Sequence, residues 1–356
     1  MRRLLTLLTV ALLSGGAALA QAPNLDKVFS DQSSYREKHM KKAPKRVFVK
    51  DFAVYFQVFA AAQDKSSGGG YRSTVVGKTK TTMGVGLEGV DVEGLQEVTN
   101  RLYREYVERL EADGFALVSA DEAAATETLA EWTRYTGGVE PSVAQVGGYL
   151  AFTPAGTDFF YRKATASGKK KGSVLIDNGN KVSRDLGDAV VTSVSLVVPF
   201  VTLEAGTTIK LASMGSKVKA EVDLRLASSA TEQEIKSGLK ASFQQPSSVA
   251  TTSTYTSGKG AGATANAYVH HSLKKDVSIE GVVAQEKIVE RTAAARESRA
   301  ASTMTPASYA LFDADDRDSR ASHVVDVDAA TYAERVFATL DAFLDRSLDE
   351  FLAATR

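Results

Sequence analysis

The chain has 356 residues, no cysteine, and 43 basic against 43 acidic residues, so its formal net charge at pH 7 is zero. Without cysteine it forms neither disulfides nor thiolate metal sites, and without excess charge no general affinity for nucleic acid or anionic lipid is expected. This length is enough for one large domain or two ordinary ones, each with a hydrophobic core.

The start of the chain has the three parts of a secretory signal peptide. Arg2 and Arg3 precede an apolar run over 4–13, and small residues follow up to Ala18 and Ala20. The apolar run is shorter than the roughly 20 residues that a membrane-spanning helix needs, so cleavage after Ala20 is expected. A lipoprotein signal would require a cysteine after that site. The sequence therefore predicts a periplasmic or secreted protein of the bacterial envelope.

The next segments predict a disordered start followed by a buried strand. Residues 21–45 are polar and charged, which predicts a flexible lead-in. Residues 46–59, RVFVKDFAVYFQVF, are apolar on both sides of the chain, which predicts a strand covered on both faces. A loop rich in Gly, Ser, Thr and Lys is predicted over 63–89, with short strands around 71–76 as an alternative.

A long amphipathic helix is predicted after this loop. Asp91 is its expected cap, and it runs to about Ala112 and stops at Asp113 and Gly114. Residues 115–118 form a short apolar run, so strand, helix and strand follow one another as in a βαβ unit with parallel strands. The apolar stripe of the helix consists of Val92, Leu95, Val98, Leu102, Tyr106 and Leu110.

A second, alanine-rich helix is predicted next. Ser119 is its expected cap, because a serine side chain can accept a hydrogen bond from the first turn. The helix is expected to include Leu129 and Trp132 and to end at Gly137 and Gly138.

The stretch 46–132 resembles, in the order of its elements, the periplasmic α/β domain shared by the curli secretion channel family and by lipoprotein activators of penicillin-binding proteins. It has RVFVKDF as opening strand, a glycine-containing loop, the helix LQEVTNRLYREYVERLEADGF and the strand ALVSADE. The Val-x-Val-x-x-Phe-like opening strand of those families is matched by Val47, Val49 and Phe52. The resemblance implies an α/β sandwich-like unit. Those families are typically lipid-anchored through a cysteine, which this chain lacks.

The middle of the chain changes from the helical to the alternating period. Residues 218–226 alternate apolar and charged side chains and predict a half-buried strand. Residues 190–203 predict another strand, kinked or at an edge because Pro199 has no backbone N–H to donate. Residues 177–180 predict a hairpin turn. Residues 244–266 have almost no apolar side chains, which predicts a flexible loop or exposed hairpin that is dispensable for folding.

The chain ends on a predicted amphipathic helix from about Ala329 to Ala354, with Asp328 as its cap. Basic residues are sparse on this helix, so burial within the fold is favoured over an anionic membrane surface. The residues that line its apolar face are Tyr332, Val336, Leu340, Phe343, Leu344, Phe351 and Leu352.

Together these elements predict an α+β protein in which an α/β sandwich-like unit carries an added antiparallel β region and a C-terminal amphipathic helix. The signal peptide occupies 1–20, and a single elaborated domain follows the lead-in over 46–356. Within that domain the α/β part covers 46–138, the β-rich part 139–326 and the helix 327–356.

No motif in the chain predicts a reaction or a cofactor. Gly77, Lys78 and Thr79 resemble the end of a phosphate-binding loop, but the glycine that this motif needs five residues earlier is replaced by Arg72. Ser-x-x-Lys pairs recur without the companion motifs of penicillin-recognising enzymes. Catalytic and cofactor-binding residues are therefore not assigned.

The best metal candidates are closely spaced carboxylates in one predicted loop, because calcium prefers such oxygen ligands. They are Asp313, Asp315, Asp316 and Asp318. Arg317 occupies position five of the calcium loop, which favours a solvated acidic turn. The histidines form no His-Glu-x-x-His motif, and adjacent ones on a strand point to opposite faces, so surface positions are expected for His39, His270, His271 and His323.

These observations predict an exported envelope protein with a non-catalytic binding or assembly role, whose partner is another envelope protein. The alternative is a periplasmic carrier of an apolar ligand or lipid, because a curved antiparallel sheet and an amphipathic helix can enclose a pocket. No nucleic-acid partner, transmembrane span or cofactor is expected.

Overall fold

The computed structural model describes part of the chain. The predicted signal peptide, the cap Asp91, the alternative strands at 71–76 and the aspartates at 313–318 lie outside the described residues. The described residues are 23–33, 37–66, 79–90, 92–130, 132–138, 148–162, 179–210, 213–236, 239–245, 247–256, 264–283, 288–290 and 321–356.

Helices and strands both contribute to this structure, in mixed sheets, so the predicted α+β class is confirmed. In chain order the elements are β1 (Phe29–Asp31), a 3-10 helix (Glu37–Lys42), β2 (Arg46–Gln57), β3 (Phe59–Ser66), β4 (Thr79–Glu88), α1 (Val92–Ala112), β5 (Ala116–Leu117), α2 (Ala120–Ala124), β6 (Trp132–Thr136), β7 (Tyr149–Phe152), β8 (Asp158–Arg162), α3 (Gly179–Asp185), β9 (Val190–Val198), β10 (Val201–Lys210), β11 (Ser213–Val222), β12 (Arg225–Leu226), β13 (Ala230–Lys236), β14 (Leu239–Gln245), β15 (Ser248–Thr256), β16 (Thr264–Leu273), β17 (Val277–Ser278), β18 (Val289–Glu290), β19 (His323–Asp326) and α4 (Ala329–Thr355).

The largest sheet in the described part of the chain has the strand order β1-β16-β15-β9-β2-β5, and β7 also pairs with β2. β2 runs parallel to β9 and β5 and antiparallel to β7. Nearly every residue of β2 is buried, which confirms the predicted strand covered on both faces. The parallel β2 and β5, with α1 between them in the sequence, confirm the predicted strand, helix and strand order.

Helices cover both faces of this sheet. On one face α1 buries its predicted stripe, apart from the partly buried Val92, and packs beside α4. The Phe52 and Tyr106 ring centroids are 5.9 Å apart there. On the opposite face a smaller cluster includes residues of α2 and α3, and Phe48 of β2 meets Phe160 of β8 there, with ring centroids 6.3 Å apart. The apolar residues of β2 therefore belong to three hydrophobic clusters: the main core, the cluster that contains Phe48, and a third that contains Ala53 and Tyr55.

The predicted C-terminal helix is confirmed. Its cap is Asp328, whose Oδ1 accepts a hydrogen bond from the Thr331 backbone amide at 2.9 Å. All of its predicted apolar face is buried, and Leu340 is fully enclosed. α4 is thus part of the hydrophobic core.

The lead-in predicted over 21–45 is packed where the structure describes it. β1 pairs with β16 at the edge of the main sheet, and the 3-10 helix packs against α4. Leu25, Phe29 and Met40 are buried in the main core. These few apolar side chains hold a segment whose composition is otherwise polar.

The Gly-rich loop predicted over 63–89 is wrong, because both of its ends are strands. β3 and β4 form an antiparallel hairpin in register from Phe59 opposite Gly86 to Ser66 opposite Thr79. β4 also pairs in parallel with β19. Small and polar side chains make up most of this hairpin, and the apolar alternation of Met83, Val85 and Leu87 covers only the end of β4, so the sequence shows little of it. Thr79 begins a strand, whereas the phosphate-binding motif requires a helix to begin there.

The second predicted helix is wrong over most of its length. Ser119 does cap α2, and its Oγ accepts a hydrogen bond from the Glu122 amide at 3.2 Å. However, α2 ends at Ala124, and Trp132 begins β6, which pairs with β8. Four of the five residues of β6, WTRYT, are aromatic or β-branched, and such residues favour strands over helices.

The predicted strand over 190–203 divides into two at Pro199. β9 lies inside the main sheet rather than at an edge, and it ends just before the proline. The Gln57 side chain accepts hydrogen bonds from the amides of Phe200 and Val201 at 3.0 and 3.3 Å. β10 then leaves to form an antiparallel hairpin with β11, whose alternation over 218–222 is half-buried as predicted.

Two further predictions are corrected. The hairpin turn at 177–180 is wrong, because α3 begins at Gly179. At 244–266 the predicted hairpin is present, because β15 pairs with β16, but it is not exposed, because β15 lies between β9 and β16. Its side chains from Thr251 to Thr254 are buried, and the hydroxyls of Thr192 and Thr251 are 3.1 Å apart. Hydrogen bonds between hydroxyl groups allow this polar strand to be buried. The prediction that the segment is dispensable for folding therefore has no support.

Candidate functional site

An open cleft of about 390 Å³ lies where the C-terminal end of α4 meets the β1 edge of the main sheet. The β1 side contributes Asp31 and Ser33, and the 3-10 helix contributes Lys41. β16 contributes Val269 and His271. The remaining wall comes from the end of α4: Glu350, Ala353, Ala354 and Arg356.

Strand pairing places Asp31 beside His271. The two residues lie opposite each other in the antiparallel register of β1 and β16. β1 ends immediately afterwards, and Asp31 Oδ1 accepts a hydrogen bond from the Ser33 amide at 2.8 Å, a local bond typical of aspartate at turns. The carboxylate is thereby held at the edge of the sheet, next to the imidazole.

His271 is a buried polar residue with an unsatisfied atom. Its exposed fraction is 1%, and its ring centroid lies 5.1 Å from that of Phe29. No hydrogen-bond partner reaches its Nε2 among the described residues. The nearest carboxylate oxygen, Oδ1 of Asp31, is 3.9 Å away, which is too long for a direct hydrogen bond. A gap of this kind between two polar atoms is where a water molecule or a ligand atom can bridge.

Burial and neighbouring charges determine the protonation states in the cleft. Burial lowers the pKa of His271 to about 4; Asp31 opposes this shift, while His270 and Arg346 add to it. Burial alone would raise the pKa of Asp31, but hydrogen bonds from Ser33 and the electrostatic effect of His271 and His270 lower it below its usual value. At neutral pH the pair is therefore a carboxylate beside a neutral imidazole.

The other charged side chains of the cleft differ in whether they are already paired. Glu350 forms an ion pair with Arg346 at 2.7 Å, and Arg356 forms one with Asp113 at 2.8 Å. Within the described ranges Lys41 makes no ion pair, and Asp31 makes none with a lysine or arginine. One positive and one negative side chain are thus free to meet a ligand.

The sequence-based site predictions had mixed outcomes. Surface positions were expected for all histidines, and this is wrong for His271. His270 does point to the other face of β16, where its Nδ1 lies 3.2 Å from Oε1 of Gln32. His323 Nδ1 lies 2.9 Å from the Ser322 hydroxyl, and His39 is half-buried. The sequence contains a signal that could have predicted the burial of His271. Ala267, Val269, His271 and Leu273 are alternate residues on one face of β16, and all four are buried.

The described part of the chain contains no group of three or more His, Asp or Glu side chains arranged to hold a metal ion. Among its helices, none has the length and apolarity that crossing a membrane would require. What the cleft can do chemically is bind a polar molecule, through two free charges and one unsatisfied ring nitrogen. Comparison with protein-family models, curated proteins and solved structures finds no match for this chain.

Proposed function

We propose that this chain is an exported protein of the bacterial envelope with a non-catalytic binding role, and that the cleft at His271 is its ligand site. Export is supported by Arg2, Arg3, the apolar run over 4–13 and the small residues up to Ala20. The observation that carries the binding role is the unsatisfied Nε2 of His271. A buried polar atom without a partner costs about 1–3 kcal/mol, so its retention calls for an explanation such as a bound ligand.

The lining of the cleft indicates what kind of molecule it accepts. Its volume of about 390 Å³ lies in the range of small-molecule sites. Asp31, Lys41, Glu350 and Arg356 all line it. Placing an apolar molecule against these charges would remove them from water without compensation. The lining therefore favours a polar ligand over the lipid cargo of the carrier alternative.

A cleft-filling substitution tests this proposal. Ala353 is exposed, lies on α4 and lines the cleft, so Ala353→Trp should fill the cleft without entering the core. Ala330→Trp, at an exposed position in the first turn of the same helix, is the matched control. A small-molecule extract of bacterial periplasm is added to each mature protein, and the melting temperature is recorded. We expect a rise for the wild type and the control and none for Ala353→Trp, because ligand binding stabilises the folded state.

Equal shifts in all three proteins, or no shift in any, would contradict the cleft as a ligand site. Export has its own test, N-terminal analysis of the mature protein purified from the producing cells. The expected first residue is Gln21, and a native protein that starts at Met1 would exclude cleavage of the predicted signal peptide.

A further inference from the structure

We infer that the cleft binds a small zwitterion, a free amino acid or a dipeptide with an apolar side chain, whose ammonium group lies at Asp31 and His271 and whose carboxylate lies at Lys41. This inference rests on the proposed function and adds the chemical class of the ligand. It depends on three features of the cleft: the polar pair on the sheet, the lysine on the 3-10 helix, and the apolar side chains that also line it.

The acceptor pair suits an ammonium group. Asp31 is an ionised carboxylate and accepts hydrogen bonds only, and Nε2 of a neutral His271 accepts in the tautomer that carries the proton on Nδ1. The 3.9 Å between Asp31 Oδ1 and His271 Nε2 lets one donor atom approach both to roughly 2.8 Å. An ammonium group has three N–H donors and can serve both acceptors at once. A ligand carboxylate in the same place would be repelled by Asp31.

The C-terminal end of α4, beside Asp31 and His271, also favours a positively charged group. The last turn of α4 forms one wall of the cleft through Ala353 and Ala354. The C-terminal end of an α-helix carries a partial negative charge, because its last carbonyl groups have no partner within the helix. This wall therefore also favours a positive group on the ligand.

Lys41 supplies the opposite charge. It lines the same cleft, makes no ion pair among the described residues, and lies on a different element from Asp31. Among the described residues no ion pair joins the lysine to the aspartate. A ligand with a single charge would compensate one of them and leave the other unpaired. A molecule that carries both charges compensates both.

The remaining lining is apolar and small. Val269 of β16 and Ala353 and Ala354 of α4 complete the walls. Contact with these side chains favours an aliphatic side chain on the ligand, because it removes apolar surface from water on both partners. Free amino acids and dipeptides share this chemistry, and they differ in the distance between their two charged ends.

Isothermal titration of the mature protein with four probes tests the inference. Leucine and leucyl-leucine carry both charges, leucinamide lacks the carboxylate, and N-acetyl-leucine lacks the ammonium group. We expect at least one of the two zwitterions to bind, and both singly charged analogues to bind at least tenfold more weakly than that zwitterion. Whether leucine or leucyl-leucine binds more tightly identifies the free amino acid or the dipeptide as the ligand.

Substitutions then assign each end of the ligand. Asp31→Asn should weaken zwitterion binding at least tenfold and abolish the preference over N-acetyl-leucine. Lys41→Gln should do the same and abolish the preference over leucinamide. Asp26→Asn and Lys42→Gln are matched controls, because both residues are exposed, lie near the tested ones in the chain and do not line the cleft. The controls should bind the zwitterion like the wild type.

The outcomes separate this inference from the proposed function. In one outcome the periplasmic extract raises the melting temperature and Ala353→Trp removes this rise, but none of the four probes binds. In another, leucinamide or N-acetyl-leucine binds as tightly as the zwitterions. In both cases the inference of a zwitterionic ligand is wrong, and the proposed ligand site stands. Zwitterion binding that survives both Asp31→Asn and Lys41→Gln also overturns the inference. If the extract gives no shift and no probe binds, the cleft holds only water and both proposals fail.

Discussion

The two flanks of α4 use polar groups in opposite ways. On the flank that packs against α1, Arg109 donates hydrogen bonds to Asp345 and, at 2.7 Å, to Asp349. The Arg101 guanidinium there lies 3.6 Å from the Phe337 ring centroid. On the flank that forms the cleft, the neighbouring elements present a lysine without an ion pair and a histidine with an unsatisfied nitrogen. On the α1 flank these polar groups are thus paired, whereas the cleft flank combines paired side chains, such as Glu350 with Arg346, with Lys41 and His271 Nε2, which have no such partner among the described residues.

This comparison predicts that substitutions on the α1 flank and in the core change stability, whereas those in the cleft change ligand binding. The largest expected effect is in the core beneath α4. Leu340→Ala should lower the free energy of unfolding by about 2–5 kcal/mol, because the side chain is fully buried and its truncation leaves a cavity. Urea titration measures the change. Glu334→Ala, at an exposed position of the same helix, should change it by less than about 0.5 kcal/mol. A change below about 0.5 kcal/mol for Leu340→Ala would place the helix outside the core.

The next largest effect is the pH dependence contributed by His271. Its folded-state pKa is about 4, below the ordinary value of 6.5, so the unfolded chain binds the proton more tightly between these two values. The contribution of His271 to the free energy of unfolding is fully present above about pH 6.5 and is lost as the pH falls toward 4. The loss should be about 2–3 kcal/mol. Unfolding of the wild type and of His271→Phe, followed across this pH range, measures it.

His271→Phe should remove this dependence while keeping a ring in the same place. An equally steep loss of stability between pH 6.5 and 4 in the variant would show that other groups cause it. His270→Phe is the control on the opposite face of β16, and it should retain the wild-type slope because that side chain is partly exposed.

A smaller effect on stability is expected from substitutions of two buried tyrosines. The Tyr106 hydroxyl lies 2.9 Å from Oγ1 of Thr192, whereas the Tyr332 hydroxyl has no hydrogen-bond partner among the described residues. Tyr106→Phe should destabilise the protein by about 1 kcal/mol, the usual value of a buried hydrogen bond. Tyr332→Phe should leave stability unchanged or raise it, because it removes an unsatisfied polar atom. Thermal unfolding of the pair measures both, and a loss of about 1 kcal/mol for Tyr332→Phe would reveal a partner for its hydroxyl.

The smallest effect concerns Asp341, on the α1 flank. Burial, followed by the nearby Asp345 and Glu105, raises its pKa to about 6 from the ordinary 3.8. A raised carboxyl pKa means that the folded state binds the proton more tightly, so stability from this group falls as the pH rises from 3.8 toward 6. Asp341→Asn should therefore stabilise the protein at pH 7 by on the order of 1 kcal/mol, after allowance for screening by solvent.

At pH 3.5 the same variant should nearly match the wild type, because the carboxyl group is then mostly protonated in both the folded and the unfolded chain. Urea titrations at the two pH values measure the difference. This pH dependence has the opposite sign to that of His271 in an overlapping range, so each variant is compared with the wild type at the same pH. A destabilised Asp341→Asn at pH 7 would mean that Arg101 or Arg109 compensates the charge fully.

The sequence by itself determined the elements that depend on near neighbours in the chain. α1 and α4 follow from apolar residues at three- and four-residue steps, and Asp328 and Ser119 cap helices where the pattern places them. β2 follows from a run that is apolar on both sides. Helical hydrogen bonds and caps join residues only a few positions apart, so a local pattern contains all the information they require.

Only the tertiary structure decided the polar strands and the cleft. β15 is buried because its neighbours β9 and β16 supply backbone and hydroxyl hydrogen bonds, which no pattern within residues 248–256 records. Asp31 and His271 meet because β1 pairs with β16, and Lys41 and the end of α4 close the cleft from distant parts of the chain. Pairing between distant segments depends on how the whole chain packs, so the candidate site was absent from the sequence as a motif and present only in the fold.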